Sequence, residues 1–292
     1  MAFLLGIDLG TSYFKVGLFD ANGALRGLGR VAVASASPAP GRAELAVDLF
    51  WQRLRQALAL ALAEAGATAA EIAGVSYSSQ ANTFVLLDAS GREVTPLVLW
   101  HDQRARPLEA RLADFGGLKE HAQITGLTGA APERAPSKWR WFMQHEPTVW
   151  AKTARAFTIS DYFTYCLTGE LVGDASTAAL TGLYDLGARS WWPAALERFA
   201  LAPELLAQPL IPGSSSGRTT ARAAELLGLP AGIPFAVGAL DHHAAALGAG
   251  IGVFAEASLS TGTVLAALVI VKSVTPVEGC IHGPHVDGPR FY

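Results

Sequence analysis

Residues 3–20, FLLGIDLGTSYFKVGLFD, read as strand, tight turn, strand. Apolar residues run through Phe3–Ile7 and resume at Val16–Phe19, and Gly10 supplies the turn between them. Asn22-Gly23 adds a type I′ hairpin signal toward a third strand around Leu28–Val33. The chain therefore opens on antiparallel strands. Outward from there, Ser35–Gly41 is a Pro/Ala/Ser loop. A helix follows with Asp48 as its N-cap, Leu54, Leu58 and Leu62 on one face, and Gly66 as its stop. Val75–Ser78, Thr83–Leu87 and Leu97–Trp100 read as strands. The stretch from Ala105 to Ala207 reads as mostly helical, its tryptophans as core. Pro209–Gly217 reads as a loop, Thr220–Leu227 as a helix closed by Gly228, Ile233–Gly238 as a buried strand and Asp241–Gly250 as a small-residue helix.

Near the end the opening pattern returns. Thr261-Gly262-Thr263 sits between apolar runs as Leu9-Gly10-Thr11 does, and Val264–Val271 reads as a core strand. This predicts an α/β fold whose last residues begin a second unit related to the first.

Composition narrows the function. Of 292 residues, 51% are hydrophobic and only 16% charged, the reverse of a disordered chain. No apolar run approaches the ~18 residues of a spanning helix. Net charge is −3, with no block of Lys or Arg, which argues against nucleic acid or an acidic membrane surface as partner. Cys166 and Cys280 form no CxxC, and the N-terminus has no basic n-region, so a reducing, cytoplasmic setting is expected.

Several segments carry chemistry. A Gly turn between strands leaves backbone N–H groups facing one concavity, a place for phosphate oxygens. Thr11 and Ser12 add hydroxyls there, and Asp8 adds a carboxylate for Mg²⁺, which needs only one or two. An ordinary hairpin with a structural Asp fits the same five residues. Asp241 stands where a buried strand enters a helix, where a carboxylate stays ionised and can accept a proton from an attacking hydroxyl. A plain N-cap fits it too. Gly262 and Thr263 repeat the Gly turn. Gln80 and Asn82, between two strands, and Trp100 and Asp102, at the exit of another, would make a polyol lining, with amides and carboxylate for hydroxyls and indole for the C–H face; a surface loop fits either segment as well. His242 and His243 are adjacent on a helix and do not share a face. His282-Gly283-Pro284-His285 reads as a loop, not a zinc site.

Taken in order, these segments resemble one family. Gly6–Ser12 with Lys15, Leu99–Arg104, Asp161–Phe163 through Thr168–Glu170 with Asp174 and Ser176, Gly238–Asp241 with Gly248 and Gly250, and Ser260–Thr263 are similar to the FGGY carbohydrate kinases, xylulokinase-like members above all. The resemblance implies two ribonuclease-H-like domains of the actin and Hsp70 type with a cleft between them. Residues 1–252 would be the N-terminal sugar-binding and phosphate domain. Residues 253–292 would begin a nucleotide-binding domain whose adenine motif lies beyond the sequence. It further implies ATP and Mg²⁺ as cofactors, Asp241 as catalytic base and substrate contact, and Asp8 holding Mg²⁺ through water. Gly10, Thr11, Ser12 and Lys15 would form one phosphate loop and Gly262 and Thr263 the other, with Gln80, Asn82, Trp100 and Asp102 around the sugar.

The resemblance makes xylulose the first candidate acceptor; Asn82 stands where xylulokinases usually carry the His that touches the sugar, a departure that points to another ketose or polyol as the alternative. The shortness of the second unit admits a rival: a sugar-binding or regulatory protein without catalysis, or a fragment without a role of its own. An exposed strand edge in that unit would offer a route to a homodimer.

Overall fold

The structure, a computed structural model, describes residues 2–261 and 265–292. Strands Phe3–Leu9 (β1), Tyr13–Phe19 (β2) and Leu25–Ala32 (β3) form an antiparallel meander. Along β1, Phe3, Leu5, Ile7 and Leu9 are buried on one face, while Leu4, Gly6 and Asp8 alternate onto the other. Glu44–Leu45 (β4) leads into helix Val47–Ala65 (α1), which lays Phe50, Trp51, Leu54, Ala57, Leu58 and Ala61 on the sheet. The approach is close because β3 carries glycine: a Cβ on Gly29 would stand 1.8 Å from the Ala57 carbonyl oxygen.

Ile72–Ser79 (β5) pairs parallel with β1. Phe84–Leu87 (β6), Leu97–Val98 (β7) and Arg155–Thr158 (β8) join β4 in a second sheet of order β4-β7-β6-β8. Helices Ala110–Gly116 (α2), Lys119–Thr125 (α3), Ala135–His145 (α4) and Pro147–Trp150 (α5) precede β8, and Ile159–Thr168 (α6) follows it. Next come Val172–Asp174 (β9), Ala175–Ala179 (α7), the hairpin Tyr184–Asp185 (β10) and Ser190–Trp191 (β11), Pro193–Phe199 (α8) and Gln208–Leu210 (β12). Ser215–Arg218 (β13), Ala221–Leu227 (α9), Pro234–Ala236 (β14), Ala239–Leu240 (β15), Asp241–Gly248 (α10), Ala257–Thr261 (β16) and Leu265–Val269 (β17) complete the chain.

The main sheet has the order β13-β14-β5-β1-β2-β3, with β15 also paired to β5; β14 and β15 run parallel to β5. It is the mixed sheet with helices that the sequence predicts. One core fills the space between this sheet and α1, α6 and α9, tied by a 3.0 Å hydrogen bond from Trp51 Nε1 to the Tyr162 hydroxyl. A second, aromatic core gathers Phe84, Phe115, Trp139, Phe142 and Trp192.

Local departures have local causes. The N-cap of α1 is Ala46 and no side chain caps it; Asp48 lies inside the first turn, where its charge still suits the helix end. The β2–β3 turn is not type I′. Only Gly23 has positive φ (79°), and Asp20 Oδ1 accepts the N–H groups of Asn22 and Ala24, so the aspartate organises a longer loop. The region from 105 to 207 holds short strands β8–β11 between its helices, and the stretch read as a Pro/Gly loop contributes β12 and β13. Of the strand expected at Val264–Val271, Val264 lies outside the described residues and Leu265–Val269 is β17, which is not core: among the described residues it pairs only with β16, and it leaves Leu265 and Val269 exposed.

Candidate active site

Strand register builds the site. Asp8 on β1 lies beside Ser78 on β5, which lies beside Ala239 on β15; Leu9, Ser79 and Leu240 repeat the row one residue on. The next residues out, Gly10, Gln80 and Asp241, leave three neighbouring parallel strands at one level, so Gly10 and Asp241 are about 10 Å apart across two strand spacings. Carboxyl ends of parallel strands are where open α/β sheets bind ligands. All three residues line one cleft of about 820 Å³ with Asp8, Thr11, Ser12, Lys15, Asn82 and Trp100.

Asp241 is the first residue of α10, whose N-cap is Leu240, so it does not serve as the cap. Its Oδ1 accepts the His242 N–H at 2.7 Å. Burial pushes the carboxyl above its ordinary range; the charge and N–H of His242 oppose this, and the neighbouring Asp8 charge adds to it. Asp8 divides its oxygens: Oδ1 accepts the Ser78 hydroxyl at 3.0 Å and Oδ2 pairs with Lys15 Nζ at 2.8 Å. Gly10 holds the turn tight, since a Cβ there would meet the Tyr13 carbonyl oxygen at 2.7 Å.

A closed ring of hydrogen bonds shapes the wall beside them. Trp100 Nε1 donates to Thr11 Oγ1 (2.9 Å), which donates to Gln80 Oε1 (3.3 Å). The same Oε1 accepts from Thr83 Oγ1 (2.8 Å), which accepts the Trp100 N–H (3.0 Å). Gln80 Nε2 reaches the Gly10 carbonyl. Behind Trp100, the buried Lys138 donates to the carbonyls of Leu99 and Trp100, both at 2.7 Å. Burial pulls this ammonium down to about 7. Asn82 spends its amide on structure: Nδ2 donates to the Leu180 carbonyl and Oδ1 accepts the Ala135 N–H.

The structure thus gathers Asp8, Gly10, Thr11, Ser12, Lys15, Gln80, Asn82, Trp100 and Asp241 in one cleft. Asp102 departs from its expected place around the sugar. It is fully buried, and its oxygens accept the Ala43 N–H and the N–H groups of Arg104, because the polar segment after β7 folds back against Glu44 instead of opening to the cleft. Gly262 and Thr263 lie outside the described residues. His242 and His243 do face apart: His242 lines the cleft, while His243 is buried against the Tyr292 ring at 4.2 Å. Among the described residues no group of three or more His, Cys, Asp or Glu side chains is placed to hold a metal. None of their helices is long and apolar enough to cross a membrane.

Sequence reasoning missed Tyr13, Arg30, Glu133 and Arg134, which also line the cleft; Ser260, from the quoted Ser260–Thr263 segment, lines it too. No local pattern marks them; Glu133 and Arg134 arrive from the entry to α4, far from the Gly turns in sequence.

Residues 3–248 match the N-terminal domain of the FGGY family of carbohydrate kinases. The chain belongs to that family. It is 29% identical over 295 residues to the L-xylulose/3-keto-L-gulonate kinase of Escherichia coli K12, covering 98% of this chain and 58% of that one. It is 30% identical over 292 residues to the autoinducer-2 kinase of Klebsiella pneumoniae, covering 98% and 54%. The crystal structure of a xylulose kinase from Rhodospirillum rubrum superposes with a TM-score of 0.88 at 26% identity, over 99% of this chain and 59% of that one. This FGGY chain therefore has the ribonuclease-H-like fold of the sugar kinases and spans little more than half the length of these relatives.

Proposed function

We propose that the protein carrying this chain transfers the terminal phosphoryl group of ATP to a hydroxyl of a small sugar or polyol. The observation behind this is the level exit of Gly10, Gln80 and Asp241 from three adjacent strands into one cleft. That arrangement faces a carboxylate toward a turn rich in N–H and hydroxyl donors. The relatives named above act on xylulose, on L-xylulose and 3-keto-L-gulonate, or on autoinducer-2. A ketose such as xylulose is the first acceptor to try.

In this reading Asp241 takes the proton of the attacking hydroxyl. Burial raises its basicity while Oδ2 has no hydrogen-bond partner among the described residues and is free for the acceptor. The Gly10 turn, Thr11, Ser12 and Lys15 hold phosphate oxygens, and Gln80, Asn82 and Trp100 bound the acceptor. Mg²⁺ fits the donors present: Asp8 offers a hard oxygen, and its partner Lys15 is half exposed and exchangeable. When bound, the ion would neutralise charge on the phosphates. Gly262 and Thr263 are assigned to a second phosphate loop. Residues 1–252 are read as the sugar and phosphate domain, and 253–292 as the start of the nucleotide domain.

The test is a coupled ADP-release assay on the gene product at its native length, against a panel of ketoses and polyols. Turnover with at least one of them, lost by 10²-fold or more in Asp241→Ala with acceptor binding retained, is the expected result. Unchanged turnover in Asp241→Ala would remove Asp241 from the base role. Binding without any ADP release would favour the non-catalytic sugar-binding alternative.

A further inference from the structure

Charge in the cleft does not balance locally. Lys15 pairs with Asp8, and Arg106 pairs with Glu133. Arg134, the N-cap of α4, has no carboxylate partner among the described residues. Its guanidinium makes one hydrogen bond there, from Nη1 to the Gly129 carbonyl at 2.5 Å. The nearest acid is the adjacent Glu133, whose charge acts on the guanidinium but whose carboxylate is paired with Arg106; a Cβ on Gly182 would stand 3.3 Å from Nη1, and on the same side lies His121. Burial and the Arg134 charge keep that imidazole neutral. The guanidinium itself is pulled down to about 10 by burial, which leaves it a cation at neutral pH. Arg30 also lines the cleft, but it is exposed to water and rests on the Tyr13 ring.

A cation withdrawn from water is ordinarily paired, because desolvation is costly and a counter-ion offsets it. Here the unspent donors belong to a residue lining the cleft. Asn82 fixes the backbone beside it through the Ala135 N–H and joins it to Leu180, so Arg134 stands on the part of the cleft wall that carries Asn82 and Leu180. A planar guanidinium with free N–H groups matches an anionic oxygen pair in two-pronged fashion.

We infer that Arg134 forms a subsite for an anionic substituent of the acceptor, a carboxylate or a phosphate monoester, carried apart from the hydroxyl that receives the phosphoryl group. This rests on the reading of the cleft as a polyol site. It makes sugar acids, or sugars already esterified elsewhere, better acceptors than neutral polyols of the same carbon skeleton.

The experiment is calorimetric titration with matched probes of four to six carbons: alditols, the corresponding aldonates and the corresponding terminal alditol phosphates. At least one aldonate or alditol phosphate should bind tenfold or more tightly than its alditol, and which of them does identifies the anion. The preference should shrink at 0.5 M salt. In Arg134→Gln the ratio of anionic to neutral affinity should collapse toward one, while Arg134→Lys, which keeps the charge without the fork, retains part of it. Alditol binding with no anionic preference overturns the inference and leaves the polyol reading standing; so does a preference that survives in Arg134→Gln. If Arg134→Gln does not fold, an anionic preference in the wild type that is indifferent to salt overturns the inference. An effect of Arg134→Gln on ATP affinity alone overturns it too, placing the residue with the nucleotide. Failure of every alditol, ketose and aldonate to bind is the separate failure of the polyol reading.

Discussion

The first 252 residues and the last forty carry similar apolar sequence but treat it in opposite ways. In the first part β1, β2 and β3 bury one face completely under α1, and Phe50 is 0% exposed between them. In the second part, among the described residues, β16 and β17 pair only with each other; Phe254 is 88% exposed and Leu265 70%. Strand propensity is the same in both. The difference is how completely another layer covers the strand: β17 only half-buries Leu268 against Ala246, Ile251 and Tyr292, and coverage fixes how much each side chain contributes to stability. The second part is nevertheless not loose throughout, because residues 282–292 return to α10: the Tyr292 ring stacks on His243, and the chain pairs with itself at Val271–Phe291.

The sharpest way to break this comparison is a pair of phenylalanine truncations. Phe50→Ala should destabilise the chain by about 4 kcal/mol, the cost of a large cavity in a closed core. Phe254→Ala should change stability by less than about 0.5 kcal/mol. Urea midpoints of both variants measure the contrast, and equal effects would mean that the loop carrying Phe254 ahead of β16 is buried in solution.

Next in size is Lys138→Met. It removes the donor shared by the Leu99 and Trp100 carbonyls and should cost about 2 kcal/mol at pH 7, because the Trp100 carbonyl loses its donor while the Leu99 carbonyl keeps only the Asp102 N–H. The pH dependence is specific. The folded ammonium sits at about 7 and the unfolded one near 10.5, so between these values the unfolded state holds the extra proton. Wild-type stability relative to Lys138→Met should therefore rise with pH, by roughly 2 kcal/mol from pH 7 to 9. Denaturant curves at the two pH values read this directly; a pH-independent difference would show that Lys138 stays charged in the fold.

These effects also mark what could be read from sequence. The β1–β2 hairpin, α1 with its Gly66 stop and the strand into Asp241 were legible because short-range periodicity and turn chemistry decide them. The grouping of Gly10 with Asp241 came from the family resemblance; the structure supplies its physical reason, the shared level of β1, β5 and β15 at one edge of the sheet. Lys138, Arg134 and the burial of Asp102 were not legible. Each depends on which loop packs behind β7 and on the entry to α4, and residues 39 to 59 positions apart in sequence carry no local signature of that meeting. The exposure of β17 was misread for a related reason: an apolar run records a preference for burial and not the presence of a partner to bury it.

Acid sharpens the comparison from the other side. Burial, helped by the nearby His242 and His285, holds the His243 imidazole down at about 3, against about 6.5 when hydrated. The stability this gives to the 282–292 contact is complete above pH 6.5 and is lost as pH falls from there toward 3. At pH 5.5 the loss is about 1.4 kcal/mol. Limited proteolysis should therefore cut within 270–292 faster at pH 5.5 than at pH 7.5, while the Phe50 core keeps its protection. His243→Phe should remove the pH dependence, and faster cutting at acid pH in that variant would assign the effect elsewhere.

The smallest expected effect tests the ring of hydrogen bonds in the better-covered part. Trp100→Phe keeps the ring body and deletes Nε1, which donates to Thr11 Oγ1. Thr11 lines the cleft, so water can replace the lost donor and the cost should be about 1 kcal/mol or less. What changes more is placement, since Thr11 links the Gly10 turn to Gln80 and through it to Thr83. Acceptor affinity should fall several-fold while the urea midpoint hardly moves. Leu259→Ser on β16 should alter neither quantity, because that side chain is already in water. If Trp100→Phe lowers stability as much as Lys138→Met does, the ring carries the fold; if acceptor affinity is unchanged, Trp100 does not bound the acceptor and the polyol wall lies elsewhere in the cleft.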